Sequence, residues 1–376
     1  MQSHGVVIAG GGLAAQRCAE RLRRQGYGEP IRMVCEEPQR PYDRPPLSKE
    51  LLAGDPVRRV SFRDEHWYAD NGVELLLGER AAHLDAPRHR LELQSGRALR
   101  YDHLLIATGA APRRLAAAER FSNTHYLRTL ADASALRGEL KSGARLAIVG
   151  AGFIGLEVAA TARRLGVEVT IAEMAEQPLA GILGARLGRW FAEMHADEGV
   201  SLKLACGVID FTGNGRVERL RLGSGETIGC DALVVAIGVA PALDWTRGSG
   251  LDPTGIAVDA AGRTGIPDVY AAGDVCRGSE HWETAAQQGV AAADSMLGLD
   301  PAPAPPASFW SDQYGVRIQY LGHARLADGV RIDGDPAERD FTALFTRAGR
   351  PVAALLAGRP RALPEMRRLI AKGTEQ

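Results

Sequence analysis

The chain has 376 residues, with 45 Lys and Arg against 46 Asp and Glu, which gives a formal net charge of −1. A hydrophobic fraction of 45% with 24% charged residues is typical of a globular protein and excludes a disordered or fibrous chain. The balanced charge gives no reason to expect a nucleic acid or an anionic membrane as partner. At about 150 residues per domain, this length predicts two or three domains.

The cysteines and the apolar runs exclude several further classes. The five cysteines are scattered and form no CxxC pair; they are Cys18, Cys35, Cys206, Cys230 and Cys276. This pattern gives neither a disulfide framework nor a metal site. No apolar run approaches the roughly 18 residues needed to cross a membrane, and Val6–Ala9 leads into glycines instead of a cleavage site. We therefore expect a cytoplasmic protein.

The first element pattern is a strand, a glycine turn and a helix. An apolar strand ends at Ala9, and Gly10, Gly11 and Gly12 follow it. Small and apolar residues then recur at helical spacing; these are Ala15, Cys18, Ala19 and Leu22. A second apolar strand, Ile31–Cys35, ends at Glu36. Together these features predict a βαβ unit.

The same pattern returns about 140 residues later. A strand over 144–149 runs into Gly150, Gly152 and Gly155. The next helix is predicted to bury one face, formed by Ile154, Val158, Ala162 and Leu165. A second strand over 167–172 then ends at Glu173. The chain thus contains two βαβ units of one design.

Both units carry the GxGxxG/A type of turn. Its first glycine makes the tight turn, the second lets the backbone approach a pyrophosphate, and the third position needs a small residue where helix packs on strand. The N–H groups and dipole of the helix start then hold the phosphates, and an acidic residue about 20 residues on binds a ribose hydroxyl. Two copies predict two dinucleotide sites.

Glu173 indicates which nicotinamide cofactor the second site prefers. A carboxylate accepts a hydrogen bond from the 2′-hydroxyl of NADH and repels the 2′-phosphate of NADPH. Residues 174–177 read MAEQ and supply no arginine for that phosphate. We predict a preference for NADH.

Three further short apolar strands end in small residues, over 104–109, 233–238 and 269–274. In open α/β sheets such strand ends are where ligands bind. The proline-rich segment 301–306 is a stiff connector. We predict an α/β protein with two Rossmann-like dinucleotide-binding domains, for FAD and NAD, and a small α+β C-terminal domain. The predicted boundaries are 1–112 with 239–300, 113–238, and 301–376.

Several stretches resemble one known family. Residues 41–49 (PYDRPPLSK), 127–130 (LRTL), 273–276 (GDVC), 280–282 (EHW) and 309–313 (FWSDQ) are similar to the FAD-dependent NADH:ferredoxin reductases. This family, of the putidaredoxin reductase and biphenyl dioxygenase reductase component type, lies within the two-dinucleotide flavoprotein disulfide reductase superfamily. It serves bacterial P450s and ring-hydroxylating oxygenases. The resemblance covers nearly the whole chain.

The resemblance implies a role for individual residues. The FAD-binding set would be Gly10, Gly12, Ala15, Glu36, Arg44, Lys49, Thr108, Gly109, Arg128, Asp274 and Trp282. The NADH-binding set would be Gly150, Gly152, Gly155 and Glu173. Lys49 would stabilise the reduced flavin electrostatically, and Glu157, expected in the first turn of the second helix, would orient it. An ordinary ion pair is the alternative role for Lys49 and Glu157.

The predicted function is therefore hydride transfer from NADH to FAD, followed by delivery of single electrons to a [2Fe–2S] ferredoxin. Basic residues near the C-terminus would suit either a ferredoxin-docking surface or a solvated helix face; they are Arg359, Arg361, Arg367, Arg368 and Lys372.

Other functions share parts of the pattern. A disulfide or thiol reductase, or an oxidase or peroxidase with a redox cysteine, needs a cysteine beside the flavin, and residues 42–49 contain none. We accordingly interpret Cys18, Cys35 and Cys276 as core thiols. A rubredoxin or another small carrier stays open as acceptor. So does a signalling flavoprotein with slow redox turnover, similar to apoptosis-inducing factor.

Overall fold

A computed structural model describes residues 3–56, 60–279 and 281–374 of the chain. The chain divides into two compact units. The first comprises Met1–Arg44, Arg58–Ala111 and Ala240–Pro305, and the second comprises Pro45–Val57, Pro112–Val239 and Pro306–Gln376.

Strands and helices alternate within each βαβ unit, and longer runs of strands separate and follow these units. The strands are Val6–Ala9 (β1), Ile31–Cys35 (β2), Val73–Leu77 (β3), Ala81–Asp85 (β4), Arg90–Leu93 (β5), Ala98–Arg100 (β6), His103–Ile106 (β7), Ala110–Pro112 (β8), Thr124–His125 (β9), Arg145–Val149 (β10), Glu168–Ala172 (β11), Ser201–Lys203 (β12), Val208–Thr212 (β13), Arg219–Leu222 (β14), Thr227–Gly229 (β15), Ala232–Val235 (β16), Val239–Pro241 (β17), Val269–Ala271 (β18), Ser308–Gln313 (β19), Val316–Gly322 (β20), Gly329–Asp335 (β21), Asp340–Arg347 (β22) and Arg350–Ala357 (β23). The α-helices are Leu13–Arg24 (α1), Glu50–Ala53 (α2), Glu65–Asp70 (α3), Leu130–Glu139 (α4), Phe153–Arg164 (α5), Ala180–Asp197 (α6), Trp282–Met296 (α7) and Leu363–Thr374 (α8). Short 3-10 helices lie at Pro45–Ser48, Ala86–Arg88, Ala116–Ala118, Asp244–Thr246, Ala324–Leu326 and Pro360–Ala362.

The first unit is built on a five-stranded parallel sheet in the order β18-β7-β1-β2-β3. Successive residues of a strand point to opposite faces of a sheet. Val6 and Ile8 of the central strand therefore pack against α1 and α7, whereas Val7 and Ala9 pack against the antiparallel sheet β4–β6. The carboxyl end of β1 opens into the first glycine turn.

Helices α1 and α7 pack backbone against backbone. A Cβ atom built at Gly289 of α7 would lie 2.2 Å from the carbonyl oxygen of Ala14 in α1. Only glycine allows so close an approach. This contact fixes the start of α1, next to the glycine turn, against α7.

The second unit repeats the arrangement with a parallel sheet in the order β12-β11-β10-β16-β9. The antiparallel sheet β13–β15 covers one of its faces, because Ala147 and Leu233 share a core with Phe211 and Leu220. Helix α5 connects β10 to β11. Helix α6 follows β11 and is kinked at Gly184, whose φ is +78°.

The same unit contains a C-terminal antiparallel sheet in the order β19-β20-β23-β22-β21. Ile370 of α8 packs on Leu321 and Leu356 of this sheet. Phe309 of β19 meets Phe153 of α5 edge to face, with ring centroids 4.6 Å apart. The C-terminal sheet is thus packed directly on the helix that follows the second glycine turn.

The predicted fold class is confirmed: both βαβ units form around parallel sheets, and a separate sheet with a terminal helix follows them. The predicted buried face of α5 is wrong at Ile154, which is 38% exposed, because it lies in the first turn beside the open glycine loop. The described residues contain no helix that is both long and apolar enough to cross a membrane.

Candidate functional site

The first glycine turn combines one crowded glycine with one open glycine. Gly10 has a φ of +131°, and a Cβ atom there would lie 2.1 Å from the carbonyl oxygen of Ala107. Gly12 is the N-cap of α1, where no side chain caps the helix, and a Cβ there would meet nothing within 4 Å. Ala15 is fully buried where α1 packs on the sheet.

The second glycine turn has the same construction. Gly150 has a φ of +103°, and a Cβ there would lie 2.4 Å from the carbonyl oxygen of Ala236. Gly152 caps α5 without a side-chain hydrogen bond and also faces open space. A Cβ at Gly155 would lie 2.4 Å from the carbonyl oxygen of Gly150. Uncapped N–H groups, the helix dipole and an open approach fit a pyrophosphate at each turn.

The acids at the ends of β2 and β11 have different partners. Glu36 is exposed and lies 3.6 Å from the guanidinium of Arg80. Glu173 instead accepts the backbone N–H of Ala151, in the glycine turn, at 2.7 Å and that of Ala175 at 2.8 Å. Two backbone donors therefore hold the Glu173 carboxylate in one orientation beside the turn. Met174, the next residue, is 80% exposed.

The strand end after β7 is tied to the chain that follows β17. Thr108 Oγ1 donates to the carbonyl oxygen of Ala242 at 2.7 Å, and Ala242 N–H donates to the carbonyl oxygen of Gly109. Gly109 has a φ of +69°. Because the single hydroxyl hydrogen of Thr108 is used in this bond, its oxygen acts only as an acceptor, and Trp245 Nε1 donates to it at 3.5 Å.

Arg44 and Trp282 lie in the first unit, each with a polar partner that sequence reasoning missed. Arg44 donates to the carboxylate of Glu37 at 2.9 Å, and the Tyr42 hydroxyl donates to the same carboxylate. Trp282, the first residue of α7, donates through Nε1 to Asp43 at 2.6 Å. Asp43 is part of the 41–49 motif, so the motif itself was the available signal.

The strand end after β18 is held by another missed residue. Gln288 of α7 accepts the backbone N–H of Gly273 at 2.8 Å and the hydroxyl of Ser279 at 3.0 Å. Asp274 follows Gly273 and is half-buried. His281 is the half-buried N-cap of α7, and Glu280 lies outside the described residues.

Lys49 and Glu157 form a buried ion pair within the second unit. Lys49 Nζ lies 2.7 Å from Glu157 Oε2, and the two residues are only 8% and 6% exposed. Glu157 is the fifth residue of α5, so it lies in the second turn of this helix and not in the first as expected.

Further hydrogen bonds complete this pair. Glu157 Oε2 also accepts from Ser48 Oγ at 2.5 Å, and Oε1 accepts from Ser311 Oγ at 2.6 Å. Lys49 Nζ donates to the carbonyl oxygen of Pro45 at 3.2 Å. Buried charges persist only when such partners offset their desolvation. Ser48 and Ser311 were missed as site residues, although each lies inside a motif that the sequence singled out.

Arg128 also belongs to the second unit, immediately before α4. Its backbone N–H donates to the Asp132 carboxylate at 3.1 Å, next to the capping box of Thr129 and Asp132. Arg137 of the same helix donates to the carbonyl oxygen of Leu52 at 2.8 Å, which attaches the segment after Lys49 to α4.

The cysteines do not form a redox site in this structure. All five are free, and Cys18, Cys35 and Cys276 are at most 3% exposed. Burial raises the pKa of Cys35 and of Cys276 to about 12. These three thiols are therefore packing residues, as the sequence indicated. The described residues contain no group of three metal-ligating side chains.

The basic residues near the C-terminus are not a uniform patch. Arg359 pairs with the carboxylates of Asp333 and Asp340, so its charge is neutralised locally. Arg367 donates to the hydroxyl of Ser308 at 3.3 Å.

Two family models match this sequence. The model described as pyridine nucleotide-disulphide oxidoreductase matches residues 4–289, and the model described as reductase C-terminal matches residues 308–376. The chain belongs to the pyridine nucleotide-disulphide oxidoreductase family.

Individual relatives narrow the similarity. The biphenyl dioxygenase system ferredoxin–NAD(+) reductase component of Paraburkholderia xenovorans (strain LB400) is 37% identical over 362 residues, covering 93% of this chain and 86% of the relative. The anthranilate 1,2-dioxygenase system ferredoxin–NAD(+) reductase component of Burkholderia cepacia is 37% identical over 390 residues, covering 99% and 95%. A chain in the crystal structure of the covalent putidaredoxin reductase–putidaredoxin complex matches with a TM-score of 0.94 and 30% identity, covering 98% of this chain and 93% of that chain.

Proposed function

We propose that this protein is an FAD-containing, NADH-dependent ferredoxin reductase, which passes single electrons to a [2Fe–2S] ferredoxin that feeds a P450 or a ring-hydroxylating oxygenase. The observation that carries the proposal is the pair of uncapped glycine turns, built alike at Gly10–Gly12 and Gly150–Gly152, in a chain whose five cysteines are all free. The relatives named as ferredoxin–NAD(+) reductase components support the same function.

The residue assignments follow from this function. We assign residues 1–112 and 239–300 to FAD binding, 113–238 to NAD(H) binding, and 301–376 to a C-terminal α+β domain. The FAD-binding residues proposed are Gly10, Gly12, Ala15, Glu36, Arg44, Lys49, Thr108, Gly109, Arg128, Asp274 and Trp282. The NADH-binding residues proposed are Gly150, Gly152, Gly155 and Glu173.

Bound FAD supplies the conversion between a two-electron donor and a one-electron acceptor. The chain's own contribution is electrostatic. We propose that Lys49 places a positive charge against the flavin and that Glu157 fixes the position of that charge. The 2.7 Å ion pair and the hydrogen bonds from Ser48 and Ser311 support this role, since a preorganised charge needs no rearrangement when negative charge develops.

We also propose a cytoplasmic location. The five free cysteines support it, because thiols stay reduced in that compartment.

An anaerobic titration of the purified flavoprotein with NADH, followed through the flavin absorbance, tests the function. We expect rapid bleaching by NADH and recovery of the absorbance when an oxidised [2Fe–2S] ferredoxin is added. A flavin that NADH hardly reduces would contradict the proposal and favour a signalling flavoprotein. Reoxidation by rubredoxin but not by ferredoxin would show that rubredoxin, and not ferredoxin, is the electron acceptor.

A matched variant separates the two nucleotide sites. A Cβ atom at Gly152 meets nothing within 4 Å, so Gly152→Ala is expected to fold and to keep its FAD. It should require more NADH for bleaching, while chemical reduction by dithionite is unchanged. Loss of FAD from this variant would contradict the assignment of the second turn to NADH.

A further inference from the structure

The inner face of β19 contacts the helices of the second unit through every other residue. Phe309 packs on Phe153, Ser311 donates to Glu157, and Gln313 faces His195 of α6. The intervening Asp312 points the other way and pairs with Arg317. This alternation is the two-residue period of a strand. A single strand therefore touches both α5 and α6 with polar groups that are buried.

These polar groups form a continuous chain of hydrogen bonds. Tyr314 OH lies 2.8 Å from His195 Nδ1, and His195 Nε2 lies 2.9 Å from Gln313 Oε1. Gln313 Nε2 donates to Ser311 Oγ at 2.9 Å, and Ser311 Oγ donates to Glu157 Oε1 at 2.6 Å. His195 and Ser311 are fully buried, and Gln313 is 1% exposed.

Elementary chemistry fixes the direction of every bond in this chain. A carboxylate only accepts, so Ser311 must use its single hydrogen on Glu157 and accept from the Gln313 amide nitrogen. The Gln313 oxygen then faces His195, which must carry its hydrogen on Nε2 and accept from Tyr314 at Nδ1. Burial lowers the pKa of His195 to about 4, which keeps the ring neutral near neutral pH, and the hydrogen-bond partners at the two ring nitrogens then select the tautomer. All the donors point toward Glu157.

We propose that His195, Gln313 and Ser311 are positioning residues for the Lys49–Glu157 pair, acting through a one-directional hydrogen-bond chain from α6 and β19. The inference rests on the proposed function, because its consequence is that these residues control how much positive charge Lys49 presents to the flavin. Without the Ser311 donor, Glu157 Oε1 is left without a partner in the buried site. Glu157 then holds the Lys49 ammonium more tightly, and less of that charge reaches the flavin.

Single-turnover reduction of the bound FAD by NADH, with the flavin midpoint potential, FAD content and melting temperature of each variant, tests the proposal. Ser311→Ala should slow flavin reduction about tenfold, as expected for one hydrogen bond to a charged group, and should lower the flavin potential. Gln313→Met and His195→Leu should change the rate in the same direction. His195→Gln, whose amide can still donate to Gln313, should restore most of the rate.

Ser308→Ala is the matched control, because it removes a buried hydroxyl from the same strand that takes no part in the chain. It should leave the reduction rate and the potential unchanged. If Ser311→Ala lowers only the melting temperature or FAD content, while the rate and the potential stay at their wild-type values, the proposal is overturned.

A measurement without turnover separates this proposal from the proposed function. In ¹⁵N-detected NMR of the wild-type flavoprotein, with His195→Gln for assignment, His195 should show the neutral ring with hydrogen on Nε2 at pH 7. A ring with hydrogen on Nδ1, or a charged ring, would overturn the hydrogen-bond chain even if NADH reduces the flavin. Conversely, the expected tautomer would support the chain in a protein that NADH did not reduce.

Discussion

Lys49 is the residue whose charge bears most directly on the proposed chemistry. Its ammonium is buried against Glu157 and held by the Pro45 carbonyl oxygen. Removing a preorganised charge of this kind costs roughly a hundredfold or more in rate. We expect Lys49→Met to slow FAD reduction by NADH by about a hundredfold in stopped-flow measurements. Lys141→Met, at an exposed lysine of the same unit, should have no effect. A Lys49→Met variant that loses only stability would reduce the pair to an ordinary ion pair.

Gly10 and Gly12 are two residues apart and predict opposite consequences of one substitution. A Cβ at Gly10 meets the Ala107 carbonyl at 2.1 Å with φ at +131°, whereas a Cβ at Gly12 meets nothing. Gly10→Ala should lower the free energy of unfolding of the FAD-free chain by more than about 2 kcal/mol. Gly12→Ala should leave that stability unchanged and weaken FAD binding at least about tenfold. Chemical unfolding and FAD titration measure the two effects. Equal behaviour of the variants would refute the division of roles.

Glu173 governs the choice of nicotinamide cofactor in our proposal. Its carboxylate is held by the N–H groups of Ala151 and Ala175, so it cannot easily turn away from a 2′-phosphate. We expect kcat/KM for NADH to exceed that for NADPH by at least about tenfold, since like charges in contact are strongly unfavourable. Glu173→Gln should lower the ratio of kcat/KM for NADH to kcat/KM for NADPH. Glu176→Gln, which changes an exposed acidic residue nearby, should leave this ratio unchanged. Near-equal efficiencies in the wild type would disprove the assignment.

At the scale of elements, the contact between α1 and α7 is set by one glycine. A Cβ at Gly289 would lie 2.2 Å from the Ala14 carbonyl oxygen. Gly289→Ala should therefore separate the two helices, lower the melting temperature and release FAD, because α1 begins at the first glycine turn. Gly138→Ala is the control in α4, where the new methyl group meets nothing within 4 Å. That change should stabilise the protein by up to about 1 kcal/mol. Thermal unfolding with FAD quantification distinguishes these outcomes.

The elements that were predictable are those whose signal is local. Each glycine turn can be recognised from the strand before it, the helix after it and the acidic residue at the end of the next strand, all within about 30 residues. Gly289 gives no such signal. A glycine within a helical pattern indicates only a lower helix propensity and does not show which other helix it contacts. Its partner Ala14 is far away in the chain. Gln288 was missed for the same reason, because its partner Gly273 is brought to it only by folding. Asp43 lies in a motif that the sequence singled out, but its partner Trp282 is 239 residues away along the chain.

The hydrogen-bond chain around Glu157 shows the same limit more strongly. Ser48 is 109 residues from Glu157 along the sequence, and Ser311 is 154 residues away. The residue alternation of β19 was visible in the FWSDQ motif, but the helices that its inner face would meet were not. His195 was not singled out at all, because a lone histidine in a helical pattern resembles any core residue.

For the molecule as a whole, His195 predicts how stability varies with pH. Burial lowers its pKa to about 4 from an ordinary value of 6.5, against a weaker opposing effect of the bond to Gln313. Arg339 also lowers this pKa, Glu198 raises it, and the Tyr314 hydroxyl faces Nδ1. Between these two pH values the unfolded chain binds a proton that the folded chain does not. The contribution of neutral His195 to the free energy of unfolding is therefore fully present above about pH 6.5 and is lost as the pH falls toward 4.

The size of this effect is measurable as a difference between two proteins. A pKa lowered from 6.5 to about 4 corresponds to as much as about 3 kcal/mol at low pH. We expect the free energy of unfolding of the wild type to fall more steeply between pH 6.5 and 4 than that of His195→Gln, which cannot titrate there. Parallel pH profiles for the two proteins would contradict a buried neutral His195.

The chain enters the second unit three times, for Pro45–Val57, for Pro112–Val239 and for Pro306–Gln376. Anyone building a chimera between relatives therefore has an unexpected junction to respect. A single junction at the proline-rich connector would combine β19 of one parent with Lys49 and Glu157 of the other. The hydrogen-bond donor at position 311 would then come from a different parent than Glu157. We expect functional hybrids only when residues 45–57, 112–239 and 306–376 are all taken from the same parent protein.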